Sequence, residues 1–276
     1  MGTELHSLHI HPVKALGGQT LRAAAVEPWG LAGDRRWVLI DAAGKVVTQR
    51  QRPSLALAAA ELLPGGGIRL SAPGRETLDV PVPRPGAAAG KVTVDIFGDK
   101  VGARLAGTEA HSWCGAYLGE EVRLAHMHDP ASSRDIDPAY ARPGETVSFA
   151  DGYPLLVTTL ASLDALNSLI AGGDHPEEGP LPMNRFRPNV VLAGTEAWAE
   201  DSWSRLAIGE VTFRVAKVCG RCVVTTTDQS TGDRGREPLR TLGRHRRFGN
   251  QLVFGQNLVP ESPGTLRTGD PVRILG

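Results

Sequence analysis

Cysteine is scarce in this chain, with three in 276 residues, at positions 114, 219 and 222. So small and odd a number excludes a disulfide framework and fits a reducing compartment, leaving the thiols as ligands or core residues. Charge of one sign is also missing: 30 basic residues balance 30 acidic ones. That excludes nucleic-acid binding through a general basic field, although arginines can still gather in a pocket. No apolar run approaches the roughly 18–20 residues of a membrane helix. The opening MGTELHSLHIHPVK lacks the basic start and apolar core of a signal peptide. The expectation is a cytoplasmic protein with no membrane and no nucleic-acid partner. Nucleophile elbow, P-loop and dinucleotide fingerprint are absent as well.

What the chain does have is punctuation. Thirty-three glycines and 20 prolines cut it into short segments rich in valine, leucine and threonine, a pattern that favours strands. In the first half the expected strands are SLHIHPV, RWVLID, KVVT, LALAAAEL, IRLSA, LDVPV and KVTVDIF, with AAG as a hairpin turn. In the second half they are PLLVTT, PNVVLAG, RLAIGEVTFRVAKV, CVVTTT, LVFGQNLV and DPVRIL. Two helices are expected. TEAHSWCGAYLG has Thr108 as N-cap and Gly119 as stop, and LASLDALNSLIAGG carries Leu163, Leu166, Leu169 and Ile170 at helical spacing. Residues 129–145 form a linker or a lid, 171–182 a second loop and 83–91 a long turn. The class that follows is α+β, mainly β, and barrel-containing, with hydrophobic content (41%) sufficient for a core.

The densest chemistry lies in KVCGRCVVTTTDQSTGDRGREPL, residues 217–239, where Cys219 and Cys222 stand at CxxC spacing beside Lys217 and Arg221. Four readings compete. A structural zinc site needs four ligands, and His245 could supply only a third. A redox pair needs CxxC opening a helix, whereas CVVTTT reads as a strand. Two buried cysteines need no role. The fourth reading is a thiolate serving one soft metal whose other ligands belong to a cofactor. Cationic residues at turns form a second set: Lys14 before Gly17 and Gly18, Arg35 and Arg36, Arg50 and Arg187. Each alone is a solvated charge; together they suit an anion, with main-chain N–H groups of the glycine turn assisting. Asn189 can both donate and accept, as recognition of a polar heterocycle would require. Asp228 is a candidate proton donor or substrate contact, or else a turn residue capping its own backbone. His9 with His11, and His126 with His128, alternate at metal-ligand spacing, while Cys114 beside Trp113 reads as core.

The motifs HPVKALGG, GLAGDRRWVLID and VTQRQRP resemble the N-terminal barrel of the MOSC proteins. FADGYPLLVTTLASLDALN, NRFRPNVVLAG, AEDSW, VCGRCVVTTTDQSTG and GTLRTGDPVRILG resemble the MOSC domain proper, in the expected order and over nearly the whole chain. The resemblance is to the amidoxime-reducing branch. It implies an N-terminal β-barrel domain over 1–125 and a MOSC β-barrel domain over 126–276. It also implies a molybdenum cofactor of the molybdopterin type bound between them. Cys222 then ligates the metal and is catalytic, and Arg221 is the neighbouring cofactor contact. Lys14 and Arg35 hold the phosphate end, with Arg50 in the same cationic set. Arg187 and Asn189 lie in the matching RPN motif, and Thr159 in the strand-to-helix turn that approaches the cofactor. Ala15 stands where the family commonly has serine, which removes one phosphate hydrogen bond. The implied reaction is reduction of N-hydroxylated small molecules, hydroxylamines and amidoximes, with electrons from a separate donor protein. A cofactor carrier or sulfur-transfer module, and a zinc-stapled interaction domain, are the alternatives.

Overall fold

The computed structural model describes residues 2–84 and 90–276. The turn expected at 83–91 therefore falls mostly outside the described residues. The chain is α+β and mainly β, with four sheets and three α-helices among the described residues. In the largest sheet, nine strands run in the order Val272–Ile274, Arg205–Ile208, Val211–Gly220, Gln251–Pro260, Leu155–Thr159, Val190–Ala193, Glu4–Ile10 and Gln19–Leu21, with Arg247–Phe248 paired to one side. All pairings are antiparallel except Leu155–Thr159 with Val190–Ala193. A parallel pair needs a crossover, and the helix Leu160–Ala171 provides it. The first strand of the chain thus completes a sheet built by the second half.

A four-stranded sheet, Trp37–Ile40, Arg123–His126, Asp99–Leu105 and Lys91–Ile96, is made wholly by the first half. Ala59–Leu62, Ile68–Ala72 and Arg75–Val80 form one three-stranded meander. Gly264–Arg267, Ala23–Glu27 and Gly30–Leu31 form the other. No helix among the described residues is long and apolar enough to cross a membrane.

Local sequence explains the first strand closely. Leu5, Leu8 and Ile10 are all fully buried, although a spacing of three breaks the two-residue alternation of a strand. A bulge between Leu5 and Ser7 absorbs the extra residue and returns Leu8 to the core face. These side chains pack with Leu206, Phe213 and Leu258. A second cluster joins Trp37, Leu55, Leu70, Trp113, Cys114 and Leu124. Each large buried apolar side chain contributes about 1.5–3 kcal/mol, so losing the Phe213 ring should cost about 3–5 kcal/mol.

Several expectations change. KVVT is not a strand, because Asp41 Oδ1 accepts from Lys45 N at 2.9 Å and turns the chain there. LALAAAEL divides into a 3-10 turn, Pro53–Leu57, started by Pro53, and the strand Ala59–Leu62. The strand Asp99–Leu105 and the helix Leu239–His245 were not expected. The helix Thr108–Leu118 is capped by Gly107 without a side-chain bond, so Thr108 is its first residue rather than its cap; Gly119 does stop it at φ 70°. CVVTTT is a 3-10 turn, Val223–Thr226, entered from Cys222. Thr225 bonds back to the Cys222 carbonyl through its N–H (3.0 Å) and its hydroxyl (2.9 Å), which outweighs β propensity. The polar segment 129–145 is pinned from within. Buried Arg134 donates to Asp99 Oδ2 at 2.7 Å and to the carbonyls of Ala150 and Asp151 at 2.6 and 3.0 Å. Ile136 joins the core beneath. The segment is a strap that delivers residues 150–151.

Candidate functional site

Strand ends and turns from both halves converge on a cleft of about 900 Å³, mouth included. Six cations line it: Lys14, Arg35, Arg50, Arg185, Arg187 and Arg221. Three have carboxylate partners. Lys14 Nζ meets Asp151 Oδ1 at 2.5 Å and the Phe149 carbonyl at 2.8 Å. Arg35 meets Asp34 Oδ2 at 2.6 Å, and Arg185 meets Asp228 Oδ2 at 2.8 Å. Among the described residues, Arg50, Arg187 and Arg221 have none within ion-pair distance.

Electrostatics follow from this layout. Burial pushes Lys14 below its usual value, and Asp151 only partly restores it. The Lys14 ammonium in turn holds the Asp151 carboxyl well below the usual carboxylate range. Arg187 is the most perturbed: burial, then repulsion from Arg35, lowers it to about 9. Its Nη2 is buried with no acceptor. Arginine does not release its proton in proteins, so this depression measures how badly the guanidinium lacks an anion.

The backbone is bent to make the cleft. Among the described residues five non-glycine residues have positive φ, and four of them line it: Ala15 (71°), Arg35 (47°), Phe97 (55°) and Arg187 (52°). Such conformations cost about 1–3 kcal/mol each and gather at functional sites. Asn189 holds the side chain of one of them, Arg35. Its Oδ1 accepts from Arg35 Nη1 at 3.1 Å and from Leu156 N at 3.2 Å, and its Nδ2 donates to the His9 carbonyl at 3.1 Å. The Arg187 carbonyl accepts from Arg35 Nη2 at 3.2 Å. The Asn189 side chain thus bridges protein groups, its Oδ1 holding the Arg35 guanidinium and one Nδ2 N–H given to the His9 carbonyl.

Both cysteines of CxxC line the same cleft, half-buried. The strand Val211–Gly220 brings Cys219, and the 3-10 turn takes Cys222 as its N-cap. Arg221 donates to Cys219 Sγ at 2.9 Å and to the Phe186 carbonyl at 2.5 Å, while Arg50 Nη2 stands 3.7 Å from Cys222 Sγ. Cys222 is thus neither walled into apolar packing nor free in solvent. It faces unpaired positive charge.

Of the residues that the resemblance assigned to the site, seven line the cleft: Lys14, Arg35, Arg50, Arg187, Asn189, Arg221 and Cys222. Thr159 does not. It is buried at the start of helix Leu160–Ala171, where its hydroxyl oxygen accepts from Ser162 N at 3.1 Å and its hydroxyl donates to Ser162 Oγ at 2.8 Å. Asp228 does not either. Its Oδ1 caps Ser230 N (2.8 Å) and Thr231 N (3.2 Å) and accepts from Ser230 Oγ, which lowers the carboxyl to about 2 and leaves no proton to donate. The glycine turn offers no nest, since Gly17 N donates to the Ala58 carbonyl at 2.7 Å. Arg36 turns away to the Met127 carbonyl at 2.6 Å, and Lys217 lies 4.4 Å from the Tyr140 ring centre.

No histidine pair forms a metal site. His9 is bonded to Ser7 and Thr20, and His126 lies tilted against Trp37, ring centres 4.5 Å apart, with its pKa pushed down to about 3 by burial. Cys114 is core, its thiol pushed up to about 12 by burial. Among the described residues one His/Cys/Asp/Glu cluster has ligand spacing, His175, Glu177 and Glu178. There Glu178 already accepts from the N–H groups of Arg236 and Glu237. Among the described residues, zinc at CxxC finds no third ligand at ligand spacing.

Asp151, Arg185 and Phe97 were not foreseen as cleft residues. Asp151 alone carried a signal, the Asp-Gly turn inside FADGYP.

The fit to a phosphate-bearing, metal-carrying pterin rests on the donor set. A phosphate monoester carries about −1.5 to −2 charge at neutral pH. With one metal-bound thiolate, that answers the three unpaired guanidiniums and the unsatisfied Arg187 Nη2. The residues fit the group.

Comparison with known proteins points the same way. The model of the MOSC N-terminal beta barrel domain matches residues 2–121, and that of the MOSC domain matches residues 144–273. Mitochondrial amidoxime-reducing component 1 of Mus musculus is 34% identical, over 98% of this chain and 81% of that protein. The Homo sapiens protein of that name is 34% identical over 98% and 82%. Mitochondrial amidoxime reducing component 2 of Rattus norvegicus is 32% identical over 95% and 80%. With both domains matched and identity sustained along nearly its whole length, the chain belongs to the MOSC-domain family that includes the mitochondrial amidoxime-reducing components.

Proposed function

We propose that this chain reduces N-hydroxylated compounds, hydroxylamines and amidoximes, using a molybdenum cofactor in the cleft and electrons from a separate donor protein. The observation that carries the reading is the set of three guanidiniums, Arg50, Arg187 and Arg221, left without carboxylates around Cys222. When bound, the cofactor supplies two-electron chemistry at its metal, so that R–NHOH, two electrons and two protons give R–NH2 and water.

The chain's own residues bind, orient and exclude. Cys222 Sγ serves as the protein's ligand to the metal. Lys14, Arg35 and Arg187 take the phosphate end, Lys14 exchanging part of its contact with Asp151 for the new anion. Asn189 holds the Arg35 guanidinium in place. Arg221, fastened to the Phe186 carbonyl, holds the cysteine turn against the cleft wall. Asp151 stays ionised beside Lys14 and is no acid. Tyr153, pushed up to about 12 by burial, keeps its phenolic proton. The cytoplasmic location proposed for the chain rests on its free thiols; the relatives' names place those proteins in mitochondria.

The test is turnover. Protein made in a host that synthesises the cofactor should convert benzamidoxime to benzamidine with a chemical reductant. Cofactor bound tightly with no turnover would favour a carrier instead.

A further inference from the structure

Five large apolar side chains stand exposed among the described residues, and one of them, Phe97, lines the cleft at 53% exposure. It occupies the first position of the two-residue turn between Lys91–Ile96 and Asp99–Leu105, with φ 55° followed by Gly98 at φ 99°. A turn with both central residues at positive φ favours Asn-Gly, because asparagine tolerates this conformation and a bulky side chain resists it. The hairpin therefore gains nothing from an aromatic residue here, and the core gains nothing from a ring this exposed. What the ring does touch is functional. It lies 5.2 Å from Lys14 Nζ and 5.0 Å from Arg50 Cζ, and Arg50 Nη2 in turn reaches Cys222 Sγ at 3.7 Å. The ring stands one guanidinium away from the sulfur, at the rim, while Lys14 and Arg187 lie deep.

Building on the reductase reading, we infer that Phe97 is the substrate-facing wall of the cleft. It makes the site favour N-hydroxylated compounds with a flat aromatic substituent over small aliphatic ones. An N–OH group held next to Cys222 directs its carbon substituent outward past Arg50, where a ring meets the face or edge of Phe97. Half-exposed at the cleft mouth, the ring offers a face to substrate, whereas the Lys14 ammonium that it covers is buried.

The test compares benzamidoxime with acetamidoxime in the loaded wild type, Phe97→Asn and Phe97→Tyr. Asparagine preserves the left-handed turn, so folding is not at issue. An aromatic pair contributes about 0.5–1.5 kcal/mol, hence the benzamidoxime-to-acetamidoxime ratio of kcat/KM should fall about 2- to 13-fold in Phe97→Asn and recover in Phe97→Tyr. Molybdenum and pterin content should match wild type. An unchanged ratio, or loss of cofactor with the ring, would overturn the assignment. Calorimetric titration with benzamidoxime separates this from the reading beneath it. Should no variant turn over either compound, the reductase reading fails. In that case weaker binding by Phe97→Asn keeps Phe97 as the wall, and equal binding removes it.

Discussion

Replacing Arg187 with methionine should stabilise the cofactor-free protein and weaken its hold on the cofactor. The guanidinium is lowered from arginine's usual 12.5 to about 9, first by burial and then by Arg35. A cation whose folded-state pKa lies below its unfolded value opposes folding wherever both states are protonated, which includes neutral pH. The opposition is in full force at neutral pH, because the guanidinium keeps its proton there. At 1.36 kcal/mol per pH unit the ceiling is about 5 kcal/mol. Exchanging buried charge for apolar packing generally gains about 1–4 kcal/mol. At roughly 2 °C per kcal/mol for a chain of this size, Tm of the cofactor-free variant should rise by about 2–8 °C. The loaded form should move the other way, because losing hydrogen bonds to a charged group costs about 1.5–3 kcal/mol, or about 10- to 150-fold in retention. Thermal unfolding of protein from a host without cofactor synthesis reads the first effect. Pterin fluorescence and metal content from a competent host read the second. A lower Tm without cofactor, together with undiminished loading, would refute the argument that this arginine awaits an anion.

Thr159→Ala should cost about 1 kcal/mol as a lost helix cap and leave cofactor content unchanged, read by denaturant unfolding and metal analysis. Asp228→Asn should leave the pH profile of kcat intact. The wild-type carboxyl, lowered to about 2, adds stability above its unfolded value of about 3.9 that disappears as pH falls toward 2; the variant's Tm should lack that part of the acid dependence. Asp151→Asn should change stability by less than about 1 kcal/mol, because the carboxylate is 72% exposed and water screens its pair with Lys14. A larger loss would mean that the pair is structural.

The helix Leu160–Ala171 was legible because Leu163, Leu166 and Ile170 keep one period, and second-half strands such as Leu155–Thr159 and Val190–Ala193 because short runs rich in valine, leucine and threonine lie between turn residues. Val223–Thr226 misled because β-branched residues read as strand, while the outcome was set by Thr225 bonding back to the Cys222 carbonyl, a contact that no propensity contains. The strap at 129–145 misled because Arg134 counts as polar in composition and is buried in space. In the cleft, residues within recognisable turns, Lys14, Arg35 and Arg187, were named before their geometry was known. Asn189 was named for its capacity to donate and accept, and in the fold its Oδ1 serves Arg35 and Leu156 while its Nδ2 serves the His9 carbonyl. Phe97 left no trace, because the strand Asp99–Leu105 was not foreseen and the residue read as the end of KVTVDIF. Its meaning comes from Lys14 and Arg50, distant in sequence and adjacent in the fold.

Metal analysis of protein from a cofactor-making host, with Cys222→Ser and Cys219→Ser side by side, addresses the central claim most directly. The account predicts about one molybdenum per wild-type chain, retention in Cys219→Ser, and in Cys222→Ser weakened metal retention with loss of benzamidoxime reduction. Molybdenum held equally by all three, or zinc in its place, would contradict it.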